Sequence, residues 1–249
     1  MLKRSFLPVR PQRTPFRTPD RILNVKPKRK SSGLPASRGK LSNPILARSA
    51  TERGTSRAPK SPVASGRLNE LAVRIRVCTK CPLHRSRTIA VPGEGKSKAI
   101  GMIIGEAPGK KEDETGLPFV GNAGAYLDHV FAGTRVKRSD FFITNIVKCR
   151  PPSNRPPKTD EIDTCTSLYL FKQIQIINPK IILLLGSVSV KTMLGLKSVE
   201  EARGRIIEHA GRKFLASYHP AVRFYREDLA QKIKEDFALL KRELKKLTS

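Results

Sequence analysis

Acidic residues are scarce in this chain. Against 49 lysines and arginines stand 21 aspartates and glutamates, a formal net charge of +28 over 249 residues. That imbalance excludes an ordinary soluble enzyme of balanced charge and points to an anionic polymer or surface as partner. Long apolar runs are missing too: none is long enough to span a bilayer, which argues against a membrane role. No secretory signal is visible and no internal repeat can be found. Cysteine is limited to four positions, Cys78, Cys81, Cys149 and Cys165.

Those four cysteines carry much of the information. Cys78 and Cys81 form a C-x-x-C, Cys149 follows after a long gap, and Cys165 lies sixteen positions beyond it. A close pair plus two remote thiolates can close a tetrahedral site that clips a helix-proximal segment onto a distant loop, and all four belong to one coherent spacing. Four thiolates suit either Zn²⁺ or a [4Fe–4S] cluster, and spacing alone does not separate them. The plainer alternatives are buried small hydrophobes or two disulfides, the latter needing an oxidising compartment.

The charge is unevenly placed. Residues 1–67 hold 17 basic residues and only Asp20 and Glu52 as acids, a net of +15, so the remaining +13 falls on residues 68–249. Proline, serine and arginine recur in the first segment without period, and Phe6, Phe16 and Ile22 stand isolated. Too little apolar surface is available there to offset chain entropy, so residues 1–67 read as a disordered basic extension. Three roles compete for it: an arm that tracks nucleic-acid phosphates, an organellar targeting peptide, and a start codon placed too far upstream. Many prolines weigh against the targeting helix.

From Leu68 onward the pattern is that of a folded α/β domain, residues 68–249. Leu68, Leu71, Ala72 and Ile75 fall at helical spacing and lead into the cysteine pair. Ile100–Ile104, Phe141–Val147 and Ile181–Leu185 read as short, wholly apolar strands, and Phe214–Ala216 as a fourth. Helices are expected at about 122–132, 159–177 with Thr159 as N-cap, 187–195 and 226–247. Alternation of this kind implies three layers, α/β/α, around a central four-stranded, mostly parallel sheet. In such sheets the ligand site lies beyond the carboxyl ends of the strands.

The loops after the strands therefore matter most. After the first comes Gly105-Glu106-Ala107-Pro108-Gly109, a turn able to cradle a phosphate or simply to be tight. Next is Gly116-Leu-Pro-Phe119-Val-Gly121-Asn-Ala-Gly124, where Phe119 is either a ligand platform or core. The second strand carries Thr144-Asn145 into Val147-Lys-Cys149-Arg-Pro-Pro-Ser-Asn154-Arg155; Asn145 is either a turn residue or a reader of a ligand's amide edge. The fourth strand leads into His219-Pro220-Ala221, which puts an imidazole at the mouth of the sheet.

Together GEAPG, GLPFVGNAG, TNIVKCRPPSNR, HPA and the order of the cysteines resemble the family 4 uracil-DNA glycosylases, the iron–sulfur type of the uracil-DNA glycosylase superfamily. The resemblance covers residues 68–249 and leaves 1–67 without a counterpart. It implies a four-stranded parallel sheet between helices and a structural [4Fe–4S] cluster on Cys78, Cys81, Cys149 and Cys165. It also implies a DNA repair reaction, base excision of uracil: the nucleotide is flipped out and its N-glycosidic bond hydrolysed, leaving an abasic site. Phe119 would stack on the base and Asn145 would read its edge. His219 would stabilise the charge that gathers on a uracil oxygen, with Gly105 and Ala107 completing the pocket. Glu106 is the preferred group to orient water or stabilise the cationic sugar. Glu112 and Asp113 are alternatives, expected to be solvated. The better-known branch of the superfamily excludes thymine with an aromatic where this chain has Gly109, so another wall must serve. Arg223 and Arg226 are expected to grip phosphates or fill the vacated base stack.

The partner implied is uracil-containing DNA, single- or double-stranded, bound by a monomer. The location implied is the cytoplasm or nucleoid of a prokaryote, with organellar targeting as the alternative reading of the extension. Two other classes stand beside the enzyme: a non-catalytic iron–sulfur DNA-binding protein of the same fold, and a zinc-stapled module acting on RNA.

Overall fold

The structure is a computed structural model and describes residues 66–248. The basic extension read over 1–67 lies outside the described residues except for Gly66 and Arg67, which open the first helix, α1 (Gly66–Arg76). Leu68, Leu71 and Ile75 form the buried stripe of α1, as their spacing predicts.

The sheet begins with β1 (Gly101–Gly105), followed by two helices, α2 (Lys110–Thr115) and α3 (Asn122–Thr134). Next come β2 (Phe141–Asn145) and a helical stretch from 159 to 177. That stretch is not one regular helix: α4 (Thr159–Cys165) passes through a π-helical turn at Thr166–Leu170 into α5 (Phe171–Ile177). Nor is Thr159 its N-cap; that position is Lys158, whose N–H is accepted by the Glu161 carboxylate at 2.8 Å. The chain continues through β3 (Ile181–Leu185), α6 (Ser187–Leu194), β4 (Ile206–His209), β5 (Arg212–Ser217) and α7 (Asp228–Thr248).

The sheet has five strands, not four, in the order β2-β1-β3-β5-β4. All pairs are parallel except β4 with β5. The extra strand is a half-exposed edge containing Glu208, so it shows none of the continuous apolar pattern of the inner strands. It turns into β5 through Ala210 (φ 48°) and Gly211 (φ 71°), the two left-handed residues of a tight hairpin.

Every residue of β1, β2 and β3 is buried, which requires cover on both faces. α6 packs on β1 and β3, α3 on α7, and α1 on α5. Leu229, Ile233, Phe237, Leu240 and Leu244 bury the apolar stripe of α7, each full burial contributing about 1.5–3 kcal/mol. Asp236 on the same helix is buried and accepts from Ser217 Oγ at 2.8 Å and from Arg203 at 3.1 Å. α7 is thereby fastened to the end of β5, two residues before His219.

Candidate active site

The parallel register sets Gly105 at the end of β1 beside Asn145 at the end of β2. On the other side of β1, β3 is followed by Gly186, whose N–H donates to Ser217 O at the end of β5. The loops leaving these strands enclose a cavity of about 370 Å³, lined among others by Glu106, Gly109, Glu112, Phe119, Asn145 and His219. It opens beyond the carboxyl ends of the parallel strands, where doubly wound sheets bind ligands.

Phe119 is held there by glycines. Its backbone is left-handed (φ 54°), unusual for an aromatic residue. A Cβ at Gly124 would collide with the Phe119 carbonyl, and one at Gly105 would collide with Asn145 Oδ1 and come within 2.7 Å of Phe119 Cζ. Only glycine at 105 lets strand, ring and amide converge. The Phe119 ring lies 5.7 Å from the His219 ring, tilted by 31°.

Asn145 is 2% exposed, and its Oδ1 has no hydrogen-bond partner among the described residues. An unpaired buried acceptor is costly unless a ligand donor completes it. Its main chain, in contrast, is gripped: Lys148 Nζ donates to Asn145 O at 2.7 Å and to Thr144 Oγ1 at 2.6 Å. Lys148 is 1% exposed. Burial pushes its ammonium down to about 8, with the Cys165 and Cys149 thiols pulling it back up.

His219 accepts a hydrogen bond at Nδ1 from the Ala221 N–H (3.2 Å), which assigns the ring proton to Nε2. Burial holds its pKa down at about 4, against a small opposing pull from Glu112, so the ring is a neutral donor at pH 7. Glu106 borders the same cavity, and burial raises its carboxyl above the usual range. Glu112 and Asp113 are buried rather than solvated, because both carboxylates cap backbone donors. Asp113 accepts from Thr88 N–H at 3.0 Å. Glu112 accepts from Gly109, Val120 and Gly121 at 3.1, 2.9 and 2.8 Å, pinning the first loop to the Phe119 loop. A Cβ at Gly109 would lie 2.8 Å from Glu112 Oε2, so the carboxylate fills the space a side chain at 109 would enter.

Beyond His219 the chain forms a short turn, Pro220–Phe224. Arg223 lies over the Tyr126 ring at 4.9 Å, and Arg226 is paired with Asp228 at 2.8 Å. Phe224 and Tyr225 are 50% and 85% exposed, and Tyr225 borders the cavity.

A second, smaller cavity is lined by all four cysteines together with Arg87, Lys148 and Tyr169. No disulfide joins them. Arg87 donates to Cys149 Sγ at 3.1 Å and to the carbonyls of Cys78 and Arg76 at 2.7 and 3.0 Å, tying the C-x-x-C segment to the distant thiol. Burial raises the Cys165 thiol to about 12. Among the described residues, no group of three or more His, Cys, Asp or Glu side chains is set to hold a single metal ion.

Residues 92–245 match the family described as the uracil DNA glycosylase superfamily. The chain belongs to that superfamily. A type-4 uracil-DNA glycosylase of Pyrobaculum aerophilum is 41% identical over 183 residues, 69% of this chain and 92% of that protein. Another, of Saccharolobus solfataricus, is 44% identical over 187 residues, 71% of this chain and 86% of that protein. A third, of Archaeoglobus fulgidus, is 38% identical over 179 residues, 68% of this chain and 89% of that protein.

In this glycosylase-superfamily chain, Glu106, Ala107, Phe119, Asn145 and His219 all border one cavity, and Gly105 underlies it. Arg223 and Arg226 do not border it and already hold protein partners. Sequence reasoning missed Lys148, a residue type that is seldom buried. It misplaced Glu112, although a glutamate three residues after a loop glycine is a recognisable helix-start signal.

Proposed function

We propose that the protein removes uracil from DNA by hydrolysing its N-glycosidic bond, leaving an abasic site. The observation that carries this is the unpaired Asn145 Oδ1, buried beside the Phe119 ring and within reach of a base entering the cavity. That acceptor suits the N3–H of uracil, while the amide N–H₂ suits an adjacent carbonyl. Cytosine presents the opposite pattern and would leave buried groups unpaired, which discriminates strongly. Phe119 supplies the stacking face, worth about 1–3 kcal/mol per base.

The C1′–N1 bond breaks with its electron pair moving to the base, and His219 Nε2–H donates to the uracil oxygen where that charge gathers. The sugar passes through an oxocarbenium-like state. A water adds at C1′ and passes its proton to solvent, and the uracil anion takes up a proton as it leaves. Glu106, the bordering carboxylate with no hydrogen bond of its own among the described residues, orients that water or offsets the sugar's charge. The Glu112 carboxylate stands where an aromatic wall would otherwise exclude the 5-methyl of thymine. Tyr225, exposed and bordering the cavity, is better placed than Arg223 and Arg226 to fill the gap left by the flipped nucleotide.

The four cysteines fit a [4Fe–4S] cluster, in which each thiolate binds a different iron. Spacing does not separate this from zinc; the resemblance to the iron–sulfur type of the superfamily is what favours the cluster. The cluster would fix the chain around Cys149 and Cys165; hydrolysis requires no electron transfer from it. The basic extension, outside the described residues, would add phosphate contacts, and the enzyme would act as a monomer.

Excision from an oligonucleotide with one uracil, followed by alkaline scission, tests the activity, with cytosine and thymine oligonucleotides beside it. Uracil-dependent scission is expected. A brown, folded, DNA-binding protein with no scission would instead establish the non-catalytic binder.

A further inference from the structure

Phe119 and Asn145 line the larger cavity and are 5% and 2% exposed, so they stand at its depth. Among the described residues that line it, Asn154 and Tyr225 alone are exposed and mark its rim. A nucleotide that enters base first leaves its sugar and flanking phosphates at that rim. Tyr225 offers a ring there. Asn154 offers an amide, one of the groups that donate to phosphate oxygens.

The turn that carries Asn154 is held in an unusual shape. Ser153 (φ 51°, ψ 25°) and Asn154 (φ 54°) are both left-handed. Such backbone is costly outside glycine and persists where the surroundings over-determine it. Two braces do so here. Arg150 Nε donates to Asn154 Oδ1 at 2.8 Å, and Arg155 grips both Glu161 oxygens at 2.9 and 2.7 Å. Arg155 borders the cavity too, but its charge is matched by Glu161. A guanidinium can only donate, so the Arg150 contact assigns the amide oxygen and leaves the Asn154 N–H₂ group for a ligand. Among the described residues that group donates to nothing.

We propose that Asn154 is a DNA-backbone contact of this site, its N–H₂ group donating to a phosphate that flanks the flipped deoxyuridine. Asn145 then reads the base at depth, and Asn154, nine positions on, holds the strand at the rim. The assignment rests on the cavity being the uracil site.

The test uses Asn154→Gly, which removes the amide and suits the left-handed backbone. Its substrates are oligonucleotides with one uracil and a methylphosphonate in place of the phosphate on the 5′ or the 3′ side. On unmodified DNA, Asn154→Gly should raise the half-saturating concentration in single-turnover excision about tenfold, the scale of one hydrogen bond to a charged acceptor. Binding of free uracil, which has no phosphate, should stay within about twofold, as for independent sites. In the wild type, methylphosphonate on one of the two sides should cost about the same tenfold; in Asn154→Gly it should cost nothing further. Additive losses on both sides, an equal loss of free-uracil affinity, or an unchanged half-saturating concentration would each overturn the contact. If Asn154→Gly does not fold, Asn154→Asp decides, since its carboxylate keeps the brace to Arg150 but repels a phosphate. It should weaken DNA binding and regain affinity with methylphosphonate on the same side; a loss that methylphosphonate leaves in place would contradict the proposal. Wild-type excision is read first. Its absence removes the uracil-site reading itself, whereas excision with an inert Asn154→Gly removes only the backbone contact.

Discussion

The two cavities differ in what their walls still lack. The larger one presents a buried acceptor, Asn145 Oδ1, without a partner among the described residues, and a neutral imidazole with its N–H on Nε2. The smaller one presents four sulfurs, one of them already taking a hydrogen bond from Arg87. The first is built to accept and release a ligand with complementary polar edges. On the proposed reading, the second would hold a cluster and fix chain segments far apart in sequence. Both draw on the stretch from Thr144 to Arg155, which supplies Asn145, Asn154 and Arg155 to one cavity and Lys148 and Cys149 to the other.

The sharpest way to break that division is to remove the polar edges of the larger cavity. Asn145→Ala and His219→Ala should each slow single-turnover uracil excision about 10²–10³-fold, the range for removing one donor aimed at developing charge. The brown colour and Tm of both variants should stay close to wild type. Loss of colour in either would mean that the cavities are not separable in this way.

Gly105→Ala comes next. Its new Cβ would press on Asn145 Oδ1 and Phe119 Cζ, costing about 1–3 kcal/mol as overpacking does. A thermal melt and a uracil titration should both show the loss. An unaffected melt would mean that the convergence of strand, ring and amide is looser than described.

A smaller effect concerns pH. The His219 pKa of about 4 in the folded protein lies below the ordinary 6.5. The unfolded chain therefore takes up the proton first as pH falls. The stability tied to the neutral ring is complete above pH 6.5 and is lost as pH falls from 6.5 toward 4. Denaturant melts across that window should show wild type losing stability relative to His219→Gln. Parallel curves would place the ring in open solvent.

Much of this was legible in the sequence because buried parallel strands leave continuous apolar runs, and β1, β2 and β3 lie where Ile100–Ile104, Phe141–Val147 and Ile181–Leu185 suggested. Asn145 and His219 could be singled out because each stands at a strand end, and Phe119 because glycines flank it; the resemblance to the family gave them their expected roles. Other features left no such trace. β4 is a half-exposed edge strand whose existence depends on pairing with β5. The burial of Glu112 depends on two loops meeting, and that of Lys148 on a turn that folds its side chain back along β2. The π-helical turn after Cys165 interrupts a helix whose composition gives no warning.

The smallest expected effect lies outside both cavities. Deleting residues 1–67 should weaken DNA binding mainly at low salt and flatten its salt dependence, because phosphate contacts release counterions. Single-turnover excision should be unchanged. An identical salt slope after truncation would remove the phosphate role from the extension.

The central claim is that the larger cavity reads uracil through the Asn145 amide. Its most direct test is equilibrium binding of labelled free uracil to the wild type and to Asn145→Ala, with unlabelled uracil, thymine and cytosine as competitors. The account predicts that unlabelled uracil displaces the label, that thymine and cytosine do so poorly, and that Asn145→Ala binds little. Equal displacement by all three bases, or full binding by Asn145→Ala, would contradict it.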